Sequence, residues 1–261
     1  MRKLIINADD FGLTPGVNEG ILRGLTAGIV SDTTLMVNTD HTAAAVALLK
    51  QSGRKAAGLH LNLTCGAPIL PAADVPSLVD AAGRFRRPAE AAAAALEPAH
   101  AARELAAQVE KFLAAGLEPT HLDSHHHIHA HPALQDIVID LARRLAVPLR
   151  QTGPAHRERI TAAGVACPDH FTTAFYGPGV SRENLAAIIA GHRDGVLEIM
   201  CHPAVADDLL PRISSYSGDR PRELALLTDP AMKALLAEAG IELVSYAALI
   251  QAGNHTAGGN K

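Results

Sequence analysis

The chain has no tryptophan, three tyrosines, five phenylalanines and three cysteines among its 261 residues. The cysteines, Cys65, Cys167 and Cys201, are odd in number and widely spaced. They build neither a disulfide framework nor a paired-thiol metal knuckle, and free thiols of a cytoplasmic protein are expected. No apolar run is long enough for a membrane span. At the start, Leu4-Ile5-Ile6 is cut short by Asp9-Asp10, too short an apolar region for a signal peptide. Charge of one sign is lacking as well. The 23 basic and 27 acidic residues give a formal net charge of −4 without a long run of either, so no nucleic-acid partner is expected. There is no Gly-x-Ser-x-Gly elbow, no P-loop, no dinucleotide fingerprint after the first strand and no His-Glu-x-x-His. Serine hydrolysis and nucleotide chemistry lose ground accordingly.

What is present is a regular alternation of short β-like runs with helical patterns. Strands are predicted over 4–8, 29–37, 57–63, 119–125, 147–151, 170–175, 195–201 and 241–245. Helices are predicted between them, including one over 88–115 that is interrupted near Pro98. Strands alternating with helices predict a parallel sheet, and a count near eight predicts a closed or nearly closed α/β barrel. No interdomain linker stands out: a single domain over 1–252 and a loose tail over 253–261 are expected.

The densest chemistry lies in Thr120-His121-Leu122-Asp123-Ser124-His125-His126-His127-Ile128-His129-Ala130-His131-Pro132, with six histidines in thirteen residues. Imidazoles and carboxylates are the ligands of zinc-like ions. Six cannot all be ligands, because a catalytic site normally uses three and keeps a position open. Strand alternation puts Asp123 and His125 on one face, with Ser124 and His126 opposite.

In a parallel barrel the site forms at the carboxyl ends of the strands. Those ends read Asp9-Asp10, Asn38, His60, His125, Arg150 and His202. For both Asp9 and Asp10 to reach one centre the chain must turn, since extended neighbours point oppositely. A turn and a helix cap would also use such residues. Arg150 could be a surface residue or could hold a carboxylate in its ionised form. Cys201 is expected in the core, leaving His202 as the functional candidate.

Taken together, the segments Asn7-Ala8-Asp9-Asp10-Phe11-Gly12-Leu13, Gly58-Leu59-His60-Leu61, Pro119–His129, Phe175-Tyr176-Gly177 and Leu197–Pro203 resemble the YdjC-like family of carbohydrate deacetylases, which includes chitooligosaccharide deacetylase. The resemblance implies a variant (β/α) barrel related to polysaccharide deacetylases. It further implies one divalent metal ion, zinc-like or magnesium, held by Asp10, His60 and His125. Asp9 is then the base and His202 the acid, and Arg150 joins the catalytic set from its place at a strand end near the two aspartates. The reaction implied is hydrolysis of an N-acetyl group on a small amino sugar or glycolipid. The loop 64–87, with Phe85 and its arginines placed to meet a sugar face or a charged group, is similar to that of relatives associated with hopanoid biosynthesis as much as to the chitobiose enzyme. Two other readings use the same residues: a metal-dependent amidase or esterase with a non-chitin substrate, and a metal-binding protein without turnover. A homodimer is expected on base rates alone.

Overall fold

The structure, a computed structural model, describes residues 2–87, 89 and 94–250. Seven strands form one sheet: β1 (Arg2–Phe11), β2 (Asp32–Leu35), β3 (Ala56–Leu61), β4 (Glu118–Ser124), β5 (His170–Thr172), β6 (Val196–Cys201) and β7 (Ile241–Leu243). Every pairing in it is parallel, in the order β4-β3-β2-β1-β6-β5, with β7 on β1. β1 is buried from Leu4 to Phe11, because in a parallel sheet covered on both faces there is no solvent side to alternate with. One edge of β1 pairs with β6 over Lys3–Ala8. The other is shared by β7 at Arg2–Leu4 and β2 from Asn7 onward.

The sheet has one strand fewer than the eight expected. The predicted fifth strand, 147–151, shrinks to a single parallel bridge between Leu122 and Leu149. Pro148 has no N–H to extend a ladder. Only its carbonyl is used, by Leu122 N. The predicted eighth strand is three residues long and pairs with β1 instead of closing a ring. The sheet nevertheless curls as a variant barrel. Arg150, beyond the β4 edge, reaches Glu198 on β6 at 2.8 Å and Asp9 on β1 at 2.6 Å.

Helices pack between the strands. Pro15–Ala27 starts at Thr14, whose hydroxyl accepts from Val17 N, and Pro15 sits in the first turn, where a missing N–H costs nothing. Pro98 likewise starts a helix, Pro98–Ala114. Before it Ala94 and Ala95 are helical and the helix is broken at 96–97, so the expected interruption near Pro98 is present. Part of the segment predicted as its beginning, and all of the predicted tail 253–261, lie outside the described residues. Gly58 in β3 is obligatory: a Cβ there would come within 2.4 Å of the His121 ring and 2.5 Å of Thr34. Without it His121 could not stack on Tyr246 beneath the site, with ring centroids 3.6 Å apart. Among the described residues no helix is long and apolar enough to cross a membrane.

Candidate active site

At the carboxyl end of β1 the ladder to β2 slips between Ala8 and Phe11, and Asp10 takes a left-handed backbone with φ 71°. Such a residue, when not glycine, costs about 1–2 kcal/mol. The bulge turns two consecutive aspartates toward one cleft. The turn expected from the sequence is thus made by Asp10 itself, with Gly12 following it at φ 99°.

Asp10 is fully buried. Its Oδ1 lies 2.9 Å from His125 Nδ1 and 3.3 Å from His60 Nε2, and its Oδ2 accepts from the Arg220 guanidinium at 2.7 Å. Asp10, His60 and His125 present ligand atoms within 4.8 Å of one another and could hold a metal ion. Burial alone would raise the Asp10 carboxyl, but His125 and Arg220 hold it well below the usual carboxylate range. Burial would lower both imidazoles. Instead Asp123 and Asp10 lift His60 to about 10, and Asp10 lifts His125 to about 9. The carboxylates of this pocket thus favour positive charge beside them.

Asp9 is gripped differently. Arg150 NH1 donates to its Oδ2 at 2.6 Å and NH2 to its Oδ1 at 2.7 Å, while Asn7 Nδ2 donates to Oδ1 at 2.7 Å. Burial acts upward on its carboxyl and Arg150 more than reverses that, so Asp9 stays an anion. Arg150 is fully buried and also contacts Asp123 (2.8 Å) and Glu198 (2.7 Å). The sequence left its place open between surface and site; it lies in the site.

The histidine run divides its labour. β4 stops at Ser124, and residues His125–Ala130 form a 3-10 turn in which His126 and His127 both have positive φ, 55° and 52°. The predicted alternation therefore holds through Asp123, whose Oδ1 meets His60 Nδ1 at 2.7 Å, but not past the strand end. His126 does not point away as alternation implied. Its ring lies 4.0 Å from that of His125, and its Nδ1 pairs with the Thr64 hydroxyl at 2.8 Å. His129 bridges the Ser124 hydroxyl and the Arg150 carbonyl and so ties the turn to the neighbouring segment. His127 stands edge-on to Phe171, and His131 Nδ1 accepts from Ala133 N.

Across the cleft, His202 follows β6. Its backbone N–H donates to Glu223, which also accepts from the Tyr216 hydroxyl. Tyr216 stacks on Tyr176 at 3.9 Å, and both rings stand 5.6 Å from His202. Burial, then the Arg220 guanidinium, push the His202 imidazole down to about 3, so the resting ring is neutral. The cleft between these walls measures about 330 Å³.

Asn38 is a strand-end residue that does not join the centre; its amide holds the Cys65 and Ala67 carbonyls of the following loop. Cys201 is buried in the core, as expected. Phe85 is only 3% exposed and offers no sugar-facing ring, because the loop folds back through a Val79–Phe85 bridge. Four participants were not foreseen: Glu198, Arg220, Tyr216 and Glu223. Glu198 carried a signal, a lone charge inside the apolar run Val196-Leu197-Glu198-Ile199-Met200. Arg220 carried none, since Gly218-Asp219-Arg220-Pro221 reads as an ordinary turn.

Residues 3–238 match the family described as YdjC-like protein. A carbohydrate deacetylase of Geobacillus stearothermophilus is 43% identical over 94% of this chain and 97% of its own length. One from Brevibacillus brevis is 41% identical over 95% and 99%. A solved structure from Enterococcus faecalis V583, a candidate cellobiose-phosphate cleavage protein, superposes with a TM-score of 0.89 at 34% identity, covering 95% of this chain and 98% of that one.

Proposed function

The chain belongs to the YdjC-like protein family, and on that premise we propose that it is a metal-dependent hydrolase that removes the N-acetyl group from an amino sugar and releases acetate. The observation that carries this reading is the meeting, in one cleft, of three groups. The Asp10–His60–His125 trio lies beside an arginine-held Asp9, and His202 stands on the facing wall. The relatives named carbohydrate deacetylase support the substrate class.

The donor set suits an ion of the zinc type, since magnesium prefers an all-oxygen shell. Bound there, a divalent ion supplies Lewis acidity to the acetyl carbonyl and to water. Asp9 takes the proton of the attacking water. Its Oδ2 accepts from Arg150 NH1 alone, which leaves it acceptor capacity for a water proton. Arg150 orients that carboxylate and keeps it anionic. Neutral at rest, His202 takes up a proton from solvent as negative charge develops in front of it and passes it to the sugar nitrogen as the C–N bond breaks. The proton that Asp9 took from the attacking water is released to solvent with the acetate. An amine expelled without a proton is a very poor leaving group, so turnover requires this step. Tyr176 and Tyr216 wall the side on which the sugar sits.

Storage of a metal requires ligands but no acid–base pair, so the presence of Asp9 and His202 favours turnover over a binding protein. The test is acetate release from a panel of N-acetylated sugars, lipid-linked glucosamine included, with and without chelator. Acetate that disappears with chelator and returns with zinc is expected. No acetate from any substrate, with metal measurably bound, would overturn the reading. Asp9→Asn should cut turnover by roughly 10²–10⁴-fold with metal content unchanged; loss of metal instead would exchange the roles of the two aspartates.

A further inference from the structure

Of the buried carboxylates that belong to neither the ligand trio nor the acid–base pair, Asp123 is the one in contact with a ligand of the trio. Asp123 has no exposed surface. It is the direct cross-strand neighbour of His60, β3 against β4, so both side chains leave the sheet on one face. Its Oδ1 lies 2.7 Å from His60 Nδ1. Its Oδ2 takes the Thr34 hydroxyl at 3.1 Å and Arg150 NH1 at 2.8 Å. That same NH1 also holds Asp9 at 2.6 Å.

We infer that Asp123 is the positioning residue of the metal centre: it fixes His60 with the proton on Nδ1 and turns Nε2 toward Asp10 and His125. The inference rests on the metal-dependent reading above. A carboxylate beside a guanidinium can only accept, so His60 Nδ1 must donate to it. The remaining nitrogen, Nε2, is the one 3.3 Å from Asp10 Oδ1. Metal-bound histidines typically give their second N–H to such a partner, which sets the tautomer and raises ligand basicity. Thr34 has one hydroxyl hydrogen, receives the Asn7 amide at 3.3 Å and lies 3.1 Å from His60 Nδ1. With Nδ1 carrying its own hydrogen, the Thr34 hydrogen goes to Asp123, also at 3.1 Å. Arg150 anchors the other side. One carboxylate thus sets the spacing between the ligand His60 and the arginine that grips Asp9.

A competing role for Asp123 would be as a ligand itself, since Asp9, His60 and Asp123 also present atoms within 4.8 Å of one another. The Arg150 guanidinium decides against it. It already lies against both Asp9 and Asp123, where a second cation would have to sit beside a permanently charged group.

The test uses the full chain, stripped of metal, as wild type, Asp123→Asn, Asp123→Leu and Thr34→Val. Folding is checked by circular dichroism, zinc affinity by competition with a chromophoric chelator, and the His60 tautomer by ¹⁵N chemical shifts of the zinc-loaded protein. Wild type should bind one zinc. Asp123→Leu should bind it about 10–100-fold more weakly and lose the single Nδ1–H signature of His60. Asp123→Asn keeps an acceptor oxygen without the charge and should fall between. Thr34→Val, which removes a contact with both Asp123 and His60 Nδ1, should lose a few-fold, and Asp123→Asn carries the inference should Asp123→Leu fail to fold. Zinc affinities within twofold of wild type in folded Asp123→Asn and Thr34→Val would overturn it. So would two zinc ions in wild type and one in Asp123→Asn, which would make Asp123 a ligand. Absence of zinc binding by wild type would be a separate failure, of the metal reading itself.

Discussion

The two walls of the cleft are built on different terms. The wall carried by β1, β3, β4 and β6 holds Asp9, Asp10, His60, Asp123 and Glu198, and every carboxylate oxygen there has a protein partner. The wall carried by the segments after β5 and β6 holds Tyr176, His202, Tyr216 and Arg220. Among the described residues, His202 Nδ1 and Arg220 NH1 are buried there without a partner, and Tyr176 stays 41% exposed, whereas the unpartnered buried atoms on the strand side, Asn7 Oδ1 and His121 Nε2, belong to no candidate ligand and to neither acid–base group. Fully partnered buried polar groups are rigid and costly to disturb; unpartnered ones have hydrogen-bonding capacity left to use. On the proposed reading, the strand wall is preorganised for a cation and a nucleophile, and the loop wall is left for the substrate to complete. Electrostatic preorganisation of this kind acts without reorganisation during the reaction.

The largest expected effect belongs to the strand wall and is a pH effect. His60 and His125 are lifted above the ordinary histidine value, to about 10 and about 9, so in the metal-free protein both carry a proton throughout the neutral range. Zinc must expel those protons to bind. Its affinity should therefore weaken as pH falls below about 9, by up to about 100-fold for each unit, and should level off once pH exceeds about 10. Competition titrations at several pH values, with calorimetry in two buffers of different ionisation enthalpy, would count the protons released. Release of fewer than one proton per zinc would break the contrast, because the trio would then be no more cation-seeking than the facing wall.

A smaller effect belongs to His202. Replacement with alanine should lower turnover of an N-acetyl sugar by about 10²-fold and leave zinc content unchanged. Against an acetyl ester of an acidic phenol, whose leaving group needs no proton, the loss should shrink to below about tenfold. Asp9→Asn should damage both substrates alike, since each requires an activated water. Steady-state rates for the four enzyme–substrate pairs decide it: an equal loss on both substrates for His202→Ala would move His202 from acid to a positioning role.

The contrast between the walls also accounts for what the sequence disclosed. Short apolar runs ending in polar residues are a local property of a strand, so Asp9, Asp10, His60 and His202 could be read from their own neighbours. Arg150 was legible as a strand-end charge, although Pro148 kept its segment from becoming a strand. The wrong strand count has the same source: apolar patterning reports burial, whereas pairing depends on backbone donors that patterning does not show. Parity located Asp123 but failed beyond Ser124, where two left-handed histidines break the alternation. The loop wall was largely illegible. Arg220 reaches Asp10 from 210 residues away in sequence, and Tyr216 reaches Glu223 within a turn whose shape is set by packing. The Tyr176 segment was visible only through the family resemblance.

The smallest expected effect tests the loop wall where it meets solvent. Tyr176 rests one ring face on Tyr216 at 3.9 Å, with 41% of its surface exposed at the rim of the cleft. Tyr216 is locked from behind by Glu223 and lies under the Arg220 guanidinium, 5.5 Å from its ring centroid, so the stacked pair is held from the buried side only. Its free side is apolar and flat, suited to the C–H face of a sugar ring. An aromatic contact of that kind contributes about 1 kcal/mol beyond area burial. Tyr176→Ala should then raise KM by about fivefold with kcat nearly unchanged, and Tyr176→Phe should behave as wild type, since the ring and not the hydroxyl makes the contact. A fall in kcat with KM unchanged would mean that Tyr176 acts through its edge contact with His202. The two tyrosines would then belong with the acid and not with the sugar, and both walls of the cleft would serve the chemical step.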